Sequence, residues 1–478
     1  MSPVELEPVI GLEIHVQLKT RTKMFCSCAL SFGEEPNTRT CPVCLGLPGS
    51  LPVINAQAVH FGLMMARAFE CEIAPKSTFH RKNYFYPDLP KGYQVSQYDE
   101  PLCTNGRLGD VRIHRIHLEE DAAKLVHAGA SGRIHGSDSS VVDFNRGGTP
   151  LAEMVTEPDL HSAEQARDWL TLLRETLRQL GVSDVNMEEG SLRCDANVSV
   201  RPRGSTELGT KTELKNMNSF RFVMQGINAE IVRQTALVQA GEAVVQETLH
   251  FDPASGRLSS LRSKEEAHDY RYFPEPDLVP VAPTSEMLER AAGAIPELPA
   301  VRTRRYEDDF GLGVDTARLL AFEPRFGNYF EEVAAGAGES AQPVVLANWV
   351  TELRTRIGAD ADPAHSRVEP VAIGELAAMV AAREINASGA RTVLDALVAE
   401  GGSPRAVVER EGLGAMESGD ELAGVVAAAL AANPDAAAKV RDGNAKAMGP
   451  IVGFVMRETK GRADGGEVGR LAREQLGV

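Results

Sequence analysis

The segment Ile10-Gly11-Leu12-Glu13-Ile14-His15-Val16-Gln17-Leu18-Lys19 alternates apolar and polar side chains almost without interruption. Successive side chains of a β-strand point to opposite faces, so the apolar residues share one face of this segment. The other face carries Glu13, His15, Gln17 and Lys19. The segment therefore predicts a strand that is buried on one side and places a carboxylate beside an imidazole on the other.

Three further segments repeat the alternation: Leu151–Glu157, Leu192–Arg201 and Thr210–Leu214. Their polar rows hold, in that order, Glu153 and Glu157; Arg193, Asp195 and Asn197; and Lys211 and Glu213. A half-buried antiparallel sheet normally alternates in this way, so for any single strand a solvated outer face remains an open interpretation. Taken together, the rows combine carboxylates with His, Asn and Arg, which suits a divalent cation and a phosphate group.

Length and composition bound the class of protein. A chain of 478 residues is too long for one core and predicts two to four domains. The composition is ordinary for a globular protein, with no apolar run that could span a bilayer and no targeting segment at the start, so we expect a cytoplasmic protein without a membrane partner. The net charge of −17 is not typical of a general nucleic-acid binder, although a local basic face remains compatible with it.

The pattern changes along the chain and predicts an α+β fold. Alternating strands mix with two helices up to about residue 280, one from Ser162 to Gly181 and one from Asn218 to Gly241. Six prolines between Pro274 and Pro299 indicate a boundary, and the periodic segments beyond it are helical and rich in alanine. We predict an antiparallel-sheet domain over 1–295, a helical domain over 296–410 and a helical tail over 411–478.

Four of the seven cysteines are clustered, at Cys26, Cys28, Cys41 and Cys44. Two close pairs in a chain without a secretion signal indicate one tetrahedral metal site more than disulfides, and four thiolates leave no open position for chemistry. The prediction is a structural zinc site in an insertion over 26–44, with free thiols as the alternative. Cys71, Cys103 and Cys194 are interpreted as small buried residues.

Longer motifs show a resemblance to a known family. The chain resembles the B subunits of the aspartyl/glutamyl-tRNA amidotransferases in the segments Gly11–Val16, Arg81–Asp88, His117–Lys124, Gly190–Asn197, Glu213–Phe220 and Asp269–Asp277. Weaker similarity continues through Leu346–Trp349 to Lys446–Gly449, so the resemblance covers essentially the whole chain.

The resemblance implies a cradle-shaped domain related to glutamine synthetase and guanido kinases. It also implies the reaction of a bacterial heterotrimer: ATP phosphorylates the side-chain carboxylate of Glu-tRNA(Gln) or Asp-tRNA(Asn), and ammonia displaces the phosphate. The ammonia would come from a glutaminase A subunit, and a C subunit would join A and B. Acyl phosphate formation requires Mg²⁺ to neutralise the triphosphate.

By resemblance, site residues can be assigned in three groups. Glu13, His15, Glu120 and Glu153 are assigned to catalysis and Mg²⁺, and Glu119 less directly. The ATP and phosphate surroundings are assigned to Arg193, Asp195, Asn197, Lys211 and Lys215. The ammonia path is assigned to Lys82, Tyr84, Tyr86, Asp88 and Lys91.

The tail is the segment in which the resemblance implies tRNA binding. Residues 431–478 contain eight basic and six acidic residues, a local net charge of +2, and we expect Lys446, Arg457 and Lys460 to contact tRNA phosphates. A solvated helix face is an equally good interpretation for any one of them.

Two other functions compete with this one. A non-catalytic, zinc-containing tRNA-binding scaffold would have damaged carboxylates, whereas Glu13, His15, Glu120 and Glu153 are all present. A separate ATP-dependent ligase for a small molecule would not need the helical half. The sequence does not indicate which of the two misacylated tRNAs is used.

Overall fold

The computed structural model describes residues 5–31, 33–128, 139–263, 270–338, 341–414, 419–459, 462–463 and 465–478. The chain divides into two compact units, one ending at Pro299 and one beginning at Ala300. The three domains predicted over 1–295, 296–410 and 411–478 stay a prediction.

The first unit contains one large sheet and two smaller ones among its described residues. Its described strands are β1 Leu6–Gln17, β2 Glu72–Ile73, β3 Phe79–Asn83, β4 Tyr93–Gln97, β5 Cys103–Leu108, β6 Val111–Glu120, β7 Lys124–Ala128, β8 Ser139–Asp143, β9 Pro150–Thr156, β10 Leu192–Pro202, β11 Thr212–Lys215, β12 Glu247–Asp252, β13 Arg257–Ser263 and β14 Phe273–Pro274. Nine of them form the main sheet in the order β13-β12-β11-β10-β1-β9-β6-β5-β2. The strands β14, β3 and β4 form a second sheet, and β7 pairs with β8.

The sequence predicted an antiparallel sheet, and one strand pair of the main sheet differs from that prediction. All its pairs are antiparallel except β11 and β12, which run parallel, so the sheet is mixed. A parallel neighbour requires a long crossover, and the helix between the two strands supplies it. Two strands also have other bounds than predicted. The strand predicted over Ile10–Lys19 is β1, Leu6–Gln17, and the strand predicted over Thr210–Leu214 is β11, Thr212–Lys215.

Helices cover the apolar face of the sheet. In the first unit they are α1 Ala56–Ala68, α2 Ala163–Leu180, α3 Phe220–Gln239 and α4 Ser285–Gly293. Both predicted helices are confirmed: Ser162 caps α2 by accepting from the Gln165 N–H, and Gly181 ends it with φ 70°. The proline-rich stretch taken as a boundary contains α4, which begins at Ser285 behind the capping hydroxyl of Thr284.

The core lies between this face and the helices. The apolar rows of β1, β9 and β10 are buried, and α2 contributes Trp169, Leu170, Leu173 and Leu177 to the same cluster. Cys71, Cys103 and Cys194 are buried and free, as the sequence predicted. Because burial fixes which face of each strand is apolar, it also leaves the polar rows together on the opposite face.

The second sheet is attached to the segment that follows residue 270. The Arg81 guanidinium donates to both oxygens of Glu275, at 2.7 Å each, and lies 4.3 Å from the Tyr93 ring centroid. The side chain of Glu275 is 1% exposed. This pair therefore joins β3 to the loop that carries Tyr270 and Tyr272.

The second unit is helical among its described residues. Its helices are α5 Pro299–Phe310, α6 Val314–Phe322, α7 Pro324–Ala337, α8 Pro343–Ile357, α9 Pro370–Ala381, α10 Ala387–Glu400, α11 Pro404–Glu411, α12 Gly419–Ala432, α13 Pro434–Arg441, α14 Gly449–Glu458 and α15 Gly465–Leu476. One hydrophobic cluster runs from Tyr306 to Val408 and another from Leu422 to Ala472. Within the described ranges, no helix is both long and apolar enough to cross a membrane.

Removing the Arg81 guanidinium should destabilise the first unit. Arg81→Met leaves the buried Glu275 carboxylate without its cation, which costs about 3–5 kcal/mol in the free energy of unfolding. The chain has two tryptophans, so in a Trp349→Phe background the fluorescence of Trp169 reports urea unfolding of the first unit alone.

The matched control is Lys19→Met. It removes an ion pair with Asp184 in which both side chains are 62% exposed, and it should change the free energy of unfolding by no more than about 1 kcal/mol. Equal effects of the two substitutions would contradict a structural role for the Arg81–Glu275 pair.

Candidate metal and phosphate site

The centre of the polar face is the middle strand β1. Its neighbours β9 and β10 place Glu153 and Arg193 on either side of His15. Two residues earlier, Glu13 lies opposite Asp195. The alternation read from the sequence therefore brings Glu13, His15 and Glu153 together, with one ligand atom of each within 4.8 Å of the others.

The strand β6 adds two residues to this group. His117 lies opposite Glu153, and Glu119 follows on the same face. The His117 Nε2 atom is 3.2 Å from Glu153 Oε2 and 3.5 Å from Glu119 Oε2, while His15 Nε2 is 3.4 Å from Glu153 Oε2 and 3.8 Å from Glu119 Oε1. Glu153 and Glu119 thus lie between two imidazoles.

Electrostatics in this group follow from burial and mutual charge. Burial opposes the charged form of His117, but the carboxylates of Glu153 and Glu119 outweigh it and raise the pKa of His117 to about 9. Burial also raises the pKa of Glu153, yet the charge of His117 and the hydrogen bonds from both imidazoles hold it well below the usual range. The pKa of Glu13 is raised, first by burial and then by the charge of Glu153. Burial and the neighbouring carboxylate thus both oppose ionisation of Glu13 in this group.

Two basic side chains border the group, and each is held by a carboxylate. Arg193 Nη2 donates to Asp121 Oδ2 at 2.8 Å, and Gln17 Nε2 donates to the same atom at 2.7 Å. Lys215 Nζ donates to Asp195 Oδ2 at 2.6 Å and lies 3.1 Å from Glu213. These contacts orient the Arg193 guanidinium and the Lys215 ammonium along the polar face.

The remaining predicted phosphate residues are less closely placed. Asn197 shares the polar row of Asp195 and lies opposite Glu213. Lys211 is exposed and precedes β11, outside the contacts described above. The structure thus brings Arg193, Asp195 and Lys215 to the site and leaves Lys211 at its edge.

Tyrosines lie over the carboxylates. The rings of Tyr98 and Tyr272 stack with centroids 4.1 Å apart, and Tyr270 packs edge-on against Tyr84 and Tyr272. Burial, together with the charges of Glu119 and Glu153, raises the pKa of Tyr272. Asn83 holds the loop by donating to the carbonyl groups of Tyr270 and Arg271.

The segment assigned to the ammonia path lies between β3 and β4. Lys82 Nζ is 4.9 Å from the Tyr270 ring centroid, and burial raises the pKa of Tyr84. Asp88 Oδ1 is buried without a hydrogen-bond partner among the described residues, and burial raises its pKa. Tyr86 is exposed, whereas Lys91 is nearly buried and forms an ion pair with Glu120.

Glu120 therefore lies apart from the group to which the resemblance assigned it. Its Oε1 atom accepts from Lys91 Nζ and, at 3.0 Å, from the Val95 N–H. Adjacent residues of a strand point to opposite faces, so only one of Glu119 and Glu120 can share the face of Glu153. That residue is Glu119, which belongs to the group of His117 and Glu153.

Sequence reasoning missed His117 and Tyr272. His117 stands two residues before Glu119, and extending the alternation rule to this strand would have placed both on the polar face. No pattern in the sequence placed Tyr272, because a loop brings it to the site.

The donor set fits a hard divalent cation. Two groups of possible ligands share Glu153: Glu13, His15 and Glu153 form one, and His117, Glu119 and Glu153 form the other. His15 links them, with its Nε2 atom 3.8 Å from Glu119 Oε1. Carboxylate oxygens and imidazole nitrogens are ligands that such ions accept. Burial raises the pKa of Glu13, the neighbouring Glu153 carboxylate adds to the rise, and a cation at this place would offset both effects. The residues present therefore fit Mg²⁺.

The four clustered cysteines also converge. The Sγ atoms of Cys26, Cys28, Cys41 and Cys44 lie within 4.8 Å of one another, compatible with the roughly 3.8 Å edge of a tetrahedral Zn–S₄ site. The hydrogen bond from Cys26 lowers the pKa of Cys44 to about 4, and burial raises the pKa of Cys28 to about 11. Lys23, only 1% exposed, directs its Nζ to Cys44 Sγ at 3.7 Å and to the Phe144 carbonyl at 2.9 Å. A buried ammonium beside these sulfurs fits a negatively charged metal–thiolate centre.

The basic residues of the tail are partly described. Lys446 lies in a turn over Ala445–Met448 and Arg457 near the end of α14, and both are exposed. Lys460 lies outside the described residues. Binding of tRNA by these side chains stays a prediction.

Comparison with known proteins gives the same family as the motifs. A family model described as the GatB/GatE catalytic domain matches residues 8–289, and one described as a GatB domain matches residues 328–476. Among curated relatives, the B subunit of an aspartyl/glutamyl-tRNA(Asn/Gln) amidotransferase from Frankia casuarinae is 50% identical, over 99% of this chain and 96% of the relative.

Relatives of the same name are found in distant bacteria. The one from Thermobifida fusca is 47% identical over 99% of this chain and 94% of its own length. The one from Persephonella marina is 44% identical over 99% of this chain and its full length. The chain belongs to the family of aspartyl/glutamyl-tRNA amidotransferase B subunits.

Proposed function

We propose that this chain activates the side-chain carboxylate of Glu-tRNA(Gln) or Asp-tRNA(Asn) with ATP and then amidates it, giving Gln-tRNA(Gln) or Asn-tRNA(Asn). The observation that carries the proposal is the polar face of the main sheet. There Glu13, Glu119 and Glu153 lie with His15 beside the cations of Arg193 and Lys215. A cation site next to fixed basic groups is what phosphoryl transfer to a carboxylate requires.

The chemistry explains why both kinds of group are needed. A carboxylate reacts poorly with ammonia because its oxygen is a poor leaving group. Transfer of a phosphoryl group from ATP to that oxygen gives an acyl phosphate. Ammonia then attacks the carbonyl carbon and displaces inorganic phosphate. Bound Mg²⁺ would supply charge neutralisation for the triphosphate.

Roles follow from position. Glu13, His15, Glu119 and Glu153 would hold the cation, with Glu119 in place of Glu120. Arg193 and Lys215 would face the phosphate oxygens, since Asp121 and Asp195 already orient them. Asn197 and Lys211 remain proposed members of the ATP surroundings, and Tyr98 and Tyr272 would exclude water from the reacting carboxylate.

The proposed ammonia path comprises Lys82, Tyr84, Tyr86, Asp88 and Lys91. In support, Lys91 and Glu120 line a cavity of about 140 Å³. The half-buried Asp88 side chain, with its Oδ1 atom buried, provides an acceptor near this route. Ammonia would be delivered by a glutaminase A subunit, which fits the designation of the relatives as B subunits.

We further propose that the complex is a heterotrimer with A and C subunits, in the cytoplasm of a bacterium. The exposed Lys446 and Arg457, with Lys460, would contact tRNA phosphates through the tail. A scaffold without chemistry is disfavoured, because a scaffold has no need to gather three carboxylates around two imidazoles.

Substitution of Glu119 should distinguish its role from that of the adjacent Glu120. In the complex with its A and C partners, Glu119→Gln should reduce amidation by a hundredfold or more, on the order of the loss of one charge-stabilising group, with either glutamine or an ammonium salt as nitrogen source. Glutamine hydrolysis by the A subunit should continue. The measurement is the conversion of Glu-tRNA(Gln) to Gln-tRNA(Gln).

Glu120→Gln is the matched comparison, since it changes the neighbouring carboxylate on the opposite face. We expect it to impair the reaction with glutamine and to leave much of the reaction with an ammonium salt. A Glu120→Gln complex as inactive as Glu119→Gln with both nitrogen sources would return Glu120 to the metal group.

The four-cysteine site should contain zinc. Elemental analysis of the purified chain should find about one zinc per chain, since four thiolates close one tetrahedral site. The double variant Cys26→Ser, Cys28→Ser should lose it. Cys71→Ala, which changes a buried cysteine outside the cluster, should retain it, and a wild-type chain without metal would contradict the assignment.

A further inference from the structure

The cavity lined by Lys91 and Glu120 has two walls of different origin. One is formed by strands and by the loop after β14, and includes Lys91, Tyr93, Val95, Glu120, Glu275 and Asp277. The other is formed by residues 26–52, here named the metal loop, and includes Cys26, Val43, Cys44, Gly46, Leu47, Ser50 and Pro52. Two of the four clustered cysteines therefore line the space that Lys91 and Glu120 share.

The metal loop packs directly against Lys91. Gly46 has a left-handed backbone with φ 68°, and a Cβ atom there would lie 2.5 Å from Lys91 Cγ and 3.2 Å from Lys91 Cα. A side chain at this position would collide with the Lys91 side chain at Cγ and would make a tight contact with its backbone at Cα. Only glycine allows the loop to approach so closely.

This contact bears on the position of the Lys91 ammonium. Its Nζ donates to Glu120 Oε1, which also accepts from the Val95 N–H. Lys91 Nζ also lies 5.9 Å from the Phe25 ring centroid and 5.3 Å from that of Tyr93. Residues on both sides of the cavity thus hold the ammonium, and the metal loop blocks its movement away from Glu120.

The metal loop has few apolar contacts with which to hold itself in place. Leu47 and Leu51 are exposed, as is Val53 just beyond the loop, and the described residues between Cys26 and Pro52 form no helix or long strand. Its internal bonds are turns such as Leu45 N–H to the Cys41 carbonyl at 3.1 Å. Hydrophobic burial therefore cannot be what fixes this wall. Hydrogen bonds to residues 142–145 hold one part of the loop, as from the Asn37 N–H to Asp143 Oδ1 at 3.1 Å and from the Arg39 N–H to Asn145 Oδ1 at 2.8 Å. The convergent cysteines, with the buried Lys23 as their counter-charge, constrain the part next to Gly46.

We propose that the metal loop is a wall of the ammonia route, and that metal held by the four cysteines keeps Lys91 on Glu120 so that ammonia reaches the activated carboxylate. The proposal rests on the proposed function and gives the metal site a role beyond folding. Loss of the wall would let ammonia escape to solvent, because the route would open on the side of the loop. Phosphorylation itself would be unaffected, since Glu13, Glu119 and Glu153 lie outside the cavity lining.

The test compares Gly46→Ala with Gly49→Ala in the complex with the A and C partners. Both glycines lie in the metal loop at positive φ, 68° and 82°, but a Cβ at Gly49 would meet no described atom within 4 Å. Backbone strain is therefore matched, and only Gly46→Ala displaces Lys91. The measured quantity is the amount of Gln-tRNA(Gln) formed per glutamine hydrolysed, with elemental analysis of each complex alongside.

Gly46→Ala should lower this ratio by roughly tenfold relative to Gly49→Ala, a loss in keeping with displacement of a positioned group by about an ångström. An excess of ammonium salt should restore amidation, and zinc content should stay equal in the two variants. Removing the metal of the four cysteines from the wild-type complex with a chelator, followed by removal of the chelator and return of Mg²⁺, should produce the same loss and the same rescue.

Two results would overturn the proposal. Equal ratios for Gly46→Ala and Gly49→Ala, at equal zinc content, would show that the wall does not guide ammonia. A wild-type complex that forms neither Gln-tRNA(Gln) nor Asn-tRNA(Asn), from glutamine or from ammonium salt, would overturn the proposed function and this inference with it.

Discussion

The carboxylate of Glu153 is the group around which the site is built. Its strand lies between two others, so the one side chain faces His15 on β1 and His117 on β6. A carboxylate with 10% of its side chain exposed requires positive partners, and the two imidazoles supply them. A slip of one residue in any of these strands would turn its polar row into the core, so burial of the apolar face also fixes the site.

On the polar face, carboxylates hold the basic side chains of Arg193 and Lys215, whereas Glu13 has no such basic partner among the described residues. Arg193 is anchored by Asp121, and Lys215 by Asp195 and Glu213, which sets their directions before any ligand is bound. Among the described residues, no lysine or arginine pairs with Glu13 at short distance, and its pKa rises through burial and the charge of Glu153. In the proposed function, this face would receive a cation at Glu13 and phosphate beside it, with little reorganisation.

The sheet alone does not enclose the site; two attached segments do. The Arg81–Glu275 pair holds the loop that brings Tyr270 and Tyr272 over the carboxylates. On another side the four cysteines hold a loop whose leucines are exposed, against Lys91. Polar contacts hold both segments, and in the proposed function metal bound by the cysteines would add to those of the second.

The sequence by itself determined the strands with their polar rows, the two long helices, the helical second half, the clustering of the cysteines and the family. These depend on local periodicity or on spacing, which one chain displays directly. The strand alternation grouped Glu13 with His15, and Asp195 with Arg193, but it could not say which strands are neighbours. Only the tertiary structure placed Glu119 with Glu153 and Glu120 with Lys91, made β11 and β12 parallel, and brought Tyr272 and the metal loop to the site. Those outcomes depend on strand order and on contacts between residues far apart in sequence, which no local pattern records.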